Sequence, residues 1–361
     1  MDAAAFRSQF PVLESLAYLN AGTDGPIASV AAEAAAAELA GEAAEGRVYS
    51  HFERRHALQN DLRAAYAALL NCDVAELALT TSTSEGIGGV LGGLPLGPGD
   101  EIVTSDSEHP GVLGPLLVAR SRGVSIKAVP LRDVADAVGA TTTLVACSHV
   151  NWLTGELAPA ALADVPVPVV LDGAQGVGAI DVDVRALGCV AYAGSGQKWL
   201  CGADGTGMLF VDAAFLERIT PTRPGYSAFE DASRGLDSTF SAEARKLDAV
   251  SLPREGVALS LAALELLTAT GFEDIFARAA ALASELAGRL AASGRTVAPR
   301  DETTLVAWED PDPETTRARL AEHGVGVRNL PGTPYLRASV GAWNDESDLD
   351  RLLRALDAAA G

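Results

Sequence analysis

"GSGQKWLCGADGTG", residues 194–207, decides how this chain is read, because a single lysine, Lys198, sits in it among five glycines. The apolar run "CVAYAG" (189–194) leads into it and "MLFV" (208–211) leads out, which reads as strand, glycine-rich turn, strand. Lysine suits neither a tight turn nor an apolar neighbourhood. Burying its charge is costly unless something neutralises or uses it. Upstream, "VPVVLDGAQG" (167–176) poses the same problem with opposite sign. Asp172 closes a strongly apolar run, and a carboxylate there needs a cation or several donors.

Outward from these two segments the same texture continues. "ELALTT" (76–81), "DEIVTSD" (100–106), "VSIKAVPL" (124–131) and "TTLVACSH" (142–149) read as strands. Between them, "STSEGIGGVLGGL" (82–94) and "GVLGPLLVARSRG" (111–123) read as helices, after alanine-rich helical patterns over 29–46 and 57–70. Apolar strands alternating with helices predict an α/β fold with a parallel or mostly parallel sheet covered on both faces. Beyond about residue 255 the pattern changes. Two long helical patterns (255–271 and 272–294) precede short strands at "TLVAWED", "VGVRNL" and "YLRASVGAW". A helix over 345–360 follows, with Asn344 as its expected N-cap. The expected division is an N-terminal segment 1–18 near the small domain, a large domain 19–250 and a smaller α+β domain 251–361.

The 361 residues suffice for two domains, and 48% are hydrophobic. A net charge of −21 argues against a nucleic-acid partner. No apolar run is long enough to predict a membrane span. The N-terminus has no basic segment before an apolar one, so no secretory signal is expected. Cys72, Cys147, Cys189 and Cys201 are scattered without metal-type spacing, which fits a reducing cytoplasmic setting and predicts no metal. Cys201, three residues after Lys198, would need a lowered thiol pKa to act as a nucleophile.

In open α/β sheets ligands sit at the carboxyl ends of strands. "TTSTSEG" (80–86) places Thr83 and Ser84 where a strand ends and a helix begins; this is an anion cradle or an ordinary cap. His109 follows the strand "DEIVTSD" in "SEHPG". A lysine able to form an imine, a phosphate cradle and a carboxylate at a buried strand end are the parts pyridoxal phosphate needs.

With "YLNAGTDGP", "SHVNWLTGE", "LDGAQGVGAIDVDV" and "YAGSGQKWLCGADGTGMLFV" in view, the chain resembles the class V aminotransferase family over nearly its full length. Within that family, "SDSEHPG", "SHVNWLTG" and "GQKWLCG" look most like the cystine C–S lyases. The resemblance implies the fold type I architecture, with a seven-stranded-type sheet, and a homodimer with shared active sites. It implies that Lys198 carries the cofactor and then moves protons at Cα. Asp172 would pair with the pyridine nitrogen, Gln175 with the phenolic oxygen, and His109 would stack on the ring. Thr83, Ser84, Ser195 and Gln197 would hold the phosphate, Gln197 standing where the family often has histidine. Ser251 would reach the neighbouring subunit's phosphate, although "ARKLDAVSLP" departs from the family's pattern there. Arg337 would grip the substrate carboxylate, and His149 or Asn151 would contact substrate.

Several reactions share these parts. Sulfur-transferring desulfurases of the family need a cysteine shortly before the substrate arginine, and "GVRNLPGTPYLRAS" (326–339) has none. The expected activity is therefore β-elimination from cystine, cysteine or an S-substituted cysteine, a small amino-acid substrate. Transamination or epimerisation by the same lysine is the alternative, and a non-catalytic binding protein on the same fold a third. No nucleotide-binding glycine loop is present.

Overall fold

The computed structural model describes residues 1–360. Its centre is a seven-stranded sheet: β1 (Leu77–Thr80), β2 (Glu101–Ser105), β3 (Ser125–Val129), β4 (Thr142–Ser148), β5 (Val169–Asp172), β6 (Ala191–Ser195) and β7 (Gly207–Val211). The spatial order is β1-β7-β6-β5-β4-β2-β3. Both pairings of β7 are antiparallel and the other four pairings are parallel, so β7 alone runs against six strands of one direction. The residues of β1, β5, β6 and β7 are buried throughout, which is why these strands read as unbroken apolar runs rather than as alternations. β3 differs. It is an edge strand with mostly exposed residues, and Lys127 on it is one of the charges that blunt an edge.

Two cores enclose the sheet. On one face Leu79, Val145, Leu171 and Phe210 pack with Leu62 and Tyr66 of helix Tyr49–Leu70 and with Leu264 of helix Arg254–Thr270. On the other, Ile102, Ala146, Val170 and Leu209 pack with Ile87 and Val90 of helix Thr83–Gly93 and with Leu116 of helix Pro110–Ser121. A third core joins Leu286 and Leu290 of helix Phe272–Ala292 to Trp308, Leu336, Leu352 and the N-terminal Leu19.

The expected division at residue 250 falls just before Arg254–Thr270, whose buried face belongs to the large core. The next helix turns away by 84° after Gly271, whose φ is +96°, and carries the chain into the third core. The N-terminal segment bridges the two cores: Phe6, Phe10 and Leu13 pack in the large core, while Ala17–Tyr18 pairs in parallel with Val325–Gly326 and Arg7 bonds Asp348 at 2.7 Å. Asn344 is not the N-cap of Glu346–Ala360. Asp345 accepts from the Ser347 and Asp348 N–H groups, while fully buried Asn344 donates to the Tyr18 carbonyl and Asp348 and accepts from Gly341. No single helix among the described residues is long and apolar enough to cross a membrane.

Candidate active site

The carboxyl ends of β1, β2, β5 and β6 open on one cleft of about 190 Å³. Thr83, Ser84, His109, Asp172, Gln175, Ser195, Gln197, Lys198 and Arg337 all line it. Residues up to 254 apart in sequence, from Thr83 to Arg337, thus converge.

Thr83 and Ser84 open the helix Thr83–Gly93, capped by Ser82, whose hydroxyl accepts from the Glu85 N–H. The Thr83 hydroxyl lies 2.8 Å from that of Ser195 at the end of β6. Two hydroxyls at a helix N-terminus form an anion cradle. Asp172 ends β5 and is buried, accepting at Oδ1 from the Ala174 N–H at 2.9 Å. Burial raises its pKa, while Lys198 and the Ala174 N–H act to lower it. Lys198 follows β6, and desolvation pushes its amine down to about 8 against the pull of Asp172. His109 caps the helix Pro110–Ser121 through Nδ1, which accepts from the Gly111 N–H, and its ring meets Trp152 edge-on. Burial, and then the nearby cations Lys198, Arg337 and Arg328, push the imidazole down to about 4, so it is neutral at neutral pH.

Gln175 is already engaged: it donates to the Gly22 carbonyl at 2.7 Å and accepts from the Trp199 indole at 3.0 Å. One amide hydrogen remains for a guest. Glycine is required at residue 25, where any Cβ would overlap the Lys198 carbonyl. The N-terminal loop thereby closes directly over the lysine turn, held by the Gly25 N–H to Gln197 carbonyl bond of 2.7 Å.

Three expected residues lie elsewhere. His149 is buried and bonds Tyr192 through Nδ1 at 3.0 Å. Asn151 donates to Ser107 and accepts from the Leu153 N–H, so its amide is used inside the loop. Immediately after Asn151, Trp152 is the residue of this loop that lines the cleft. Ser251 is exposed and outside the cleft of its own chain. Sequence reasoning also missed Arg328, which stands directly across from Arg337 on the paired strands Arg328–Asn329 and Tyr335–Ser339. Neither arginine has an ion-pair partner among the described residues. Burial, reinforced by Arg328, pushes Arg337 down to about 9, so it stays cationic at neutral pH. Like charges facing each other across a ladder are unfavourable without anions between them.

The model of the aminotransferase class-V family matches residues 18–352. The chain belongs to that family. It is 29% identical to the isopenicillin N epimerase of Streptomyces clavuligerus, over 95% of this chain and 94% of that one. It is 29% identical to the cysteine desulfurase CsdA of Escherichia coli, over 99% and 97%. A cystine C–S lyase, C-DES, solved with its reaction product cysteine persulfide, superimposes with a TM-score of 0.89 at 28% identity, covering 97% of this chain and 99% of that one. A second structure of that lyase holds glycine covalently linked to pyridoxal phosphate.

The residues of this cleft fit the same cofactor. It offers hydroxyls and a helix N-terminus for a phosphate, a buried carboxylate for a ring nitrogen, and an amine of lowered pKa for an aldehyde. Gln197 Oε1 and Arg337 Nε, buried without hydrogen-bond partners, mark the cleft as made for a polar guest.

Proposed function

We propose that this chain is a pyridoxal phosphate-dependent C–S lyase that cleaves cystine by β-elimination. The facing pair Arg328–Arg337 carries the choice of substrate. Each arginine matches one carboxylate, and cystine carries two, one on each half. The reaction balances as cystine plus water giving pyruvate, ammonia and cysteine persulfide.

Pyridoxal phosphate supplies a ring that accepts the electron pair released when the Cα proton leaves. The protein's residues do the rest. Thr83, Ser84, Ser195 and Gln197 hold the phosphate. Asp172 keeps a proton on the ring nitrogen. His109, uncharged at neutral pH, covers a ring face without competing with that proton. Lys198 would hold the cofactor through its amine and take the Cα proton; lowered to about 8, roughly a tenth of that amine is free to act as a base at neutral pH, far more than for an ordinary lysine. Arg337 pairs with the carboxylate of the reacting half and Arg328 with that of the departing half. The Cβ–S bond then breaks and its electron pair leaves with the sulfur.

Among the described residues no cysteine lines the cleft to receive that sulfur. Cys201 is buried, and burial pushes its thiol far above the nucleophilic range. This separates the reading from desulfurase-type persulfide transfer.

The active form we propose is a homodimer. Tyr49, Tyr226 and Val250, exposed by 76%, 82% and 69%, surround one apolar hollow beside Ser251. A second copy would cover this face and bring Ser251 against a neighbouring cleft. Val250→Asp is expected to shift the protein to monomer in sedimentation; an unchanged dimer would exclude this face.

The test of the reaction is direct. Purified protein loaded with pyridoxal phosphate should convert L-cystine to pyruvate and persulfide in equal amounts. Racemised amino acid without pyruvate would overturn the lyase in favour of an epimerase.

A further inference from the structure

Behind Asp172, away from the cleft, lies a buried pair that the chemistry above does not use. Tyr192 on β6 is fully buried, and its hydroxyl meets His149 Nδ1 at 3.0 Å, the rings crossing at 76°. Burial keeps the imidazole neutral and the phenol protonated, so the bond joins two uncharged groups.

The turn "DGAQG" (172–176) is wrapped around this phenol. A Cβ at Gly173 would overlap the Tyr192 ring, and one at Gly176 would overlap its hydroxyl and lie 3.0 Å from His149 Nδ1. Neither glycine has a positive φ, so their need is for space and not for backbone freedom. Backbone bonds from His149 and from the neighbour of Tyr192 hold the start of the turn. The His149 N–H donates to the Asp172 carbonyl at 2.8 Å, and the Gly173 N–H donates to the carbonyl of Ala193, the residue after Tyr192, at 2.7 Å. Gly176 and Val177 N–H groups both return to the Gly173 carbonyl, closing the turn that aims Gln175 at the cleft.

We infer that Tyr192, tied down by His149, is a positioning residue for the cofactor: its phenol is the template on which the "DGAQG" turn sets the Asp172 carboxylate and the Gln175 amide. This rests on the cofactor assignment above. It gives His149 a role outside substrate contact and gives two glycines of the turn a specific partner.

The account predicts a coupled pattern in the holoenzyme. Tyr192→Phe removes the hydroxyl but keeps the ring. It should weaken pyridoxal phosphate binding about tenfold, because Asp172 and Gln175 are then held less closely in the positions the cofactor needs. It should also shift the pH midpoint at which the bound cofactor's visible band changes, because that band reports the setting of Asp172 and Lys198. Gly176→Ala alone should weaken binding by about a hundredfold through overlap with the phenol oxygen. In the Tyr192→Phe background, where that oxygen is gone, the same substitution should cost less than about tenfold more.

Equal costs of Gly176→Ala in both backgrounds would overturn the inference. So would Tyr192→Phe with wild-type cofactor affinity and an unshifted band, even if melting temperature fell, because that is the signature of packing alone. Should Gly176→Ala fail to fold, the affinity and band titration of Tyr192→Phe decide the matter. Wild-type protein that takes up no cofactor would overturn the cofactor assignment and this inference with it, a result distinct from the failure of the variant.

Discussion

The two walls of the cleft are built on different principles. On the side of the seven-stranded sheet, Thr83, Asp172, Ser195 and Lys198 stand at the ends of strands locked in one sheet and buried on both faces. On the other side, Arg328 and Arg337 stand on an antiparallel pair whose strands are two and five residues long and whose packing belongs to a separate core. The first wall fixes groups that must meet a cofactor at set positions. The second presents two cations whose spacing follows from cross-strand register and suits a substrate with two anions. The difference suggests that chemistry sits on the rigid layer and substrate choice on the other. Changes on the first wall should abolish turnover for every substrate, whereas changes on the second should alter which substrate is used.

The largest effect is expected at Lys198. Lys198→Ala should lower pyruvate formation by roughly 10⁴-fold or more for all substrates, because it removes both the covalent attachment and the base. Asp172→Asn should lower kcat by about 10²–10³-fold with little change in KM, as expected for a charge that acts mainly in the transition state. Steady-state assays of pyruvate check both. A rise in KM with unchanged kcat for Asp172→Asn would move it from the chemical wall to the binding wall.

The second wall should respond more mildly and more selectively. Arg337→Ala should raise KM by about a hundredfold for every amino acid, since it leaves a carboxylate without its buried partner. Arg328→Ala, at an exposed residue, should cost about tenfold for cystine and almost nothing for a substrate with one carboxylate.

The smallest expected effect is one of pH. The Lys198 amine lies at about 8 in the folded protein, below its ordinary value of 10.5. Between these values the unfolded chain holds the extra proton, so stability of the cofactor-free protein should rise with pH across this window and the benefit should be absent below about 8. Urea midpoints of wild type against Lys198→Met between pH 7 and 10.5 would show it as a difference between the two that shifts in wild type's favour as pH rises above about 8.

The first wall was far more legible in the sequence than the second, for a physical reason. A charged residue at the end of an apolar run is costly wherever it is placed, so Asp172 and Lys198 announce themselves. The α/β pattern followed from strands buried on both faces. Arg328 lies on a two-residue strand, too short to carry any periodicity, and only the register opposite Arg337 reveals it. In "SHVNWLTGE" the loop was legible but its orientation was not: the polar His149 and Asn151 bond within the protein and Trp152 reaches the cleft. Helix Tyr49–Leu70 begins eight residues before the alanine-rich pattern because "YSHFERRH" is polar on nearly every side. Asn344 and Asp345 are both good caps by type, and bonds to Tyr18, Gly341 and Asp348 draw Asn344 inward.

The measurement that bears most directly on the account is kcat/KM for pyruvate formation from L-cystine and from S-methyl-L-cysteine, by wild type and Arg328→Ala in parallel. The account predicts that wild type prefers cystine, and that the variant loses about tenfold on cystine while keeping its rate on the thioether. Equal losses on both substrates, or no pyruvate from cystine in the wild type, would contradict it.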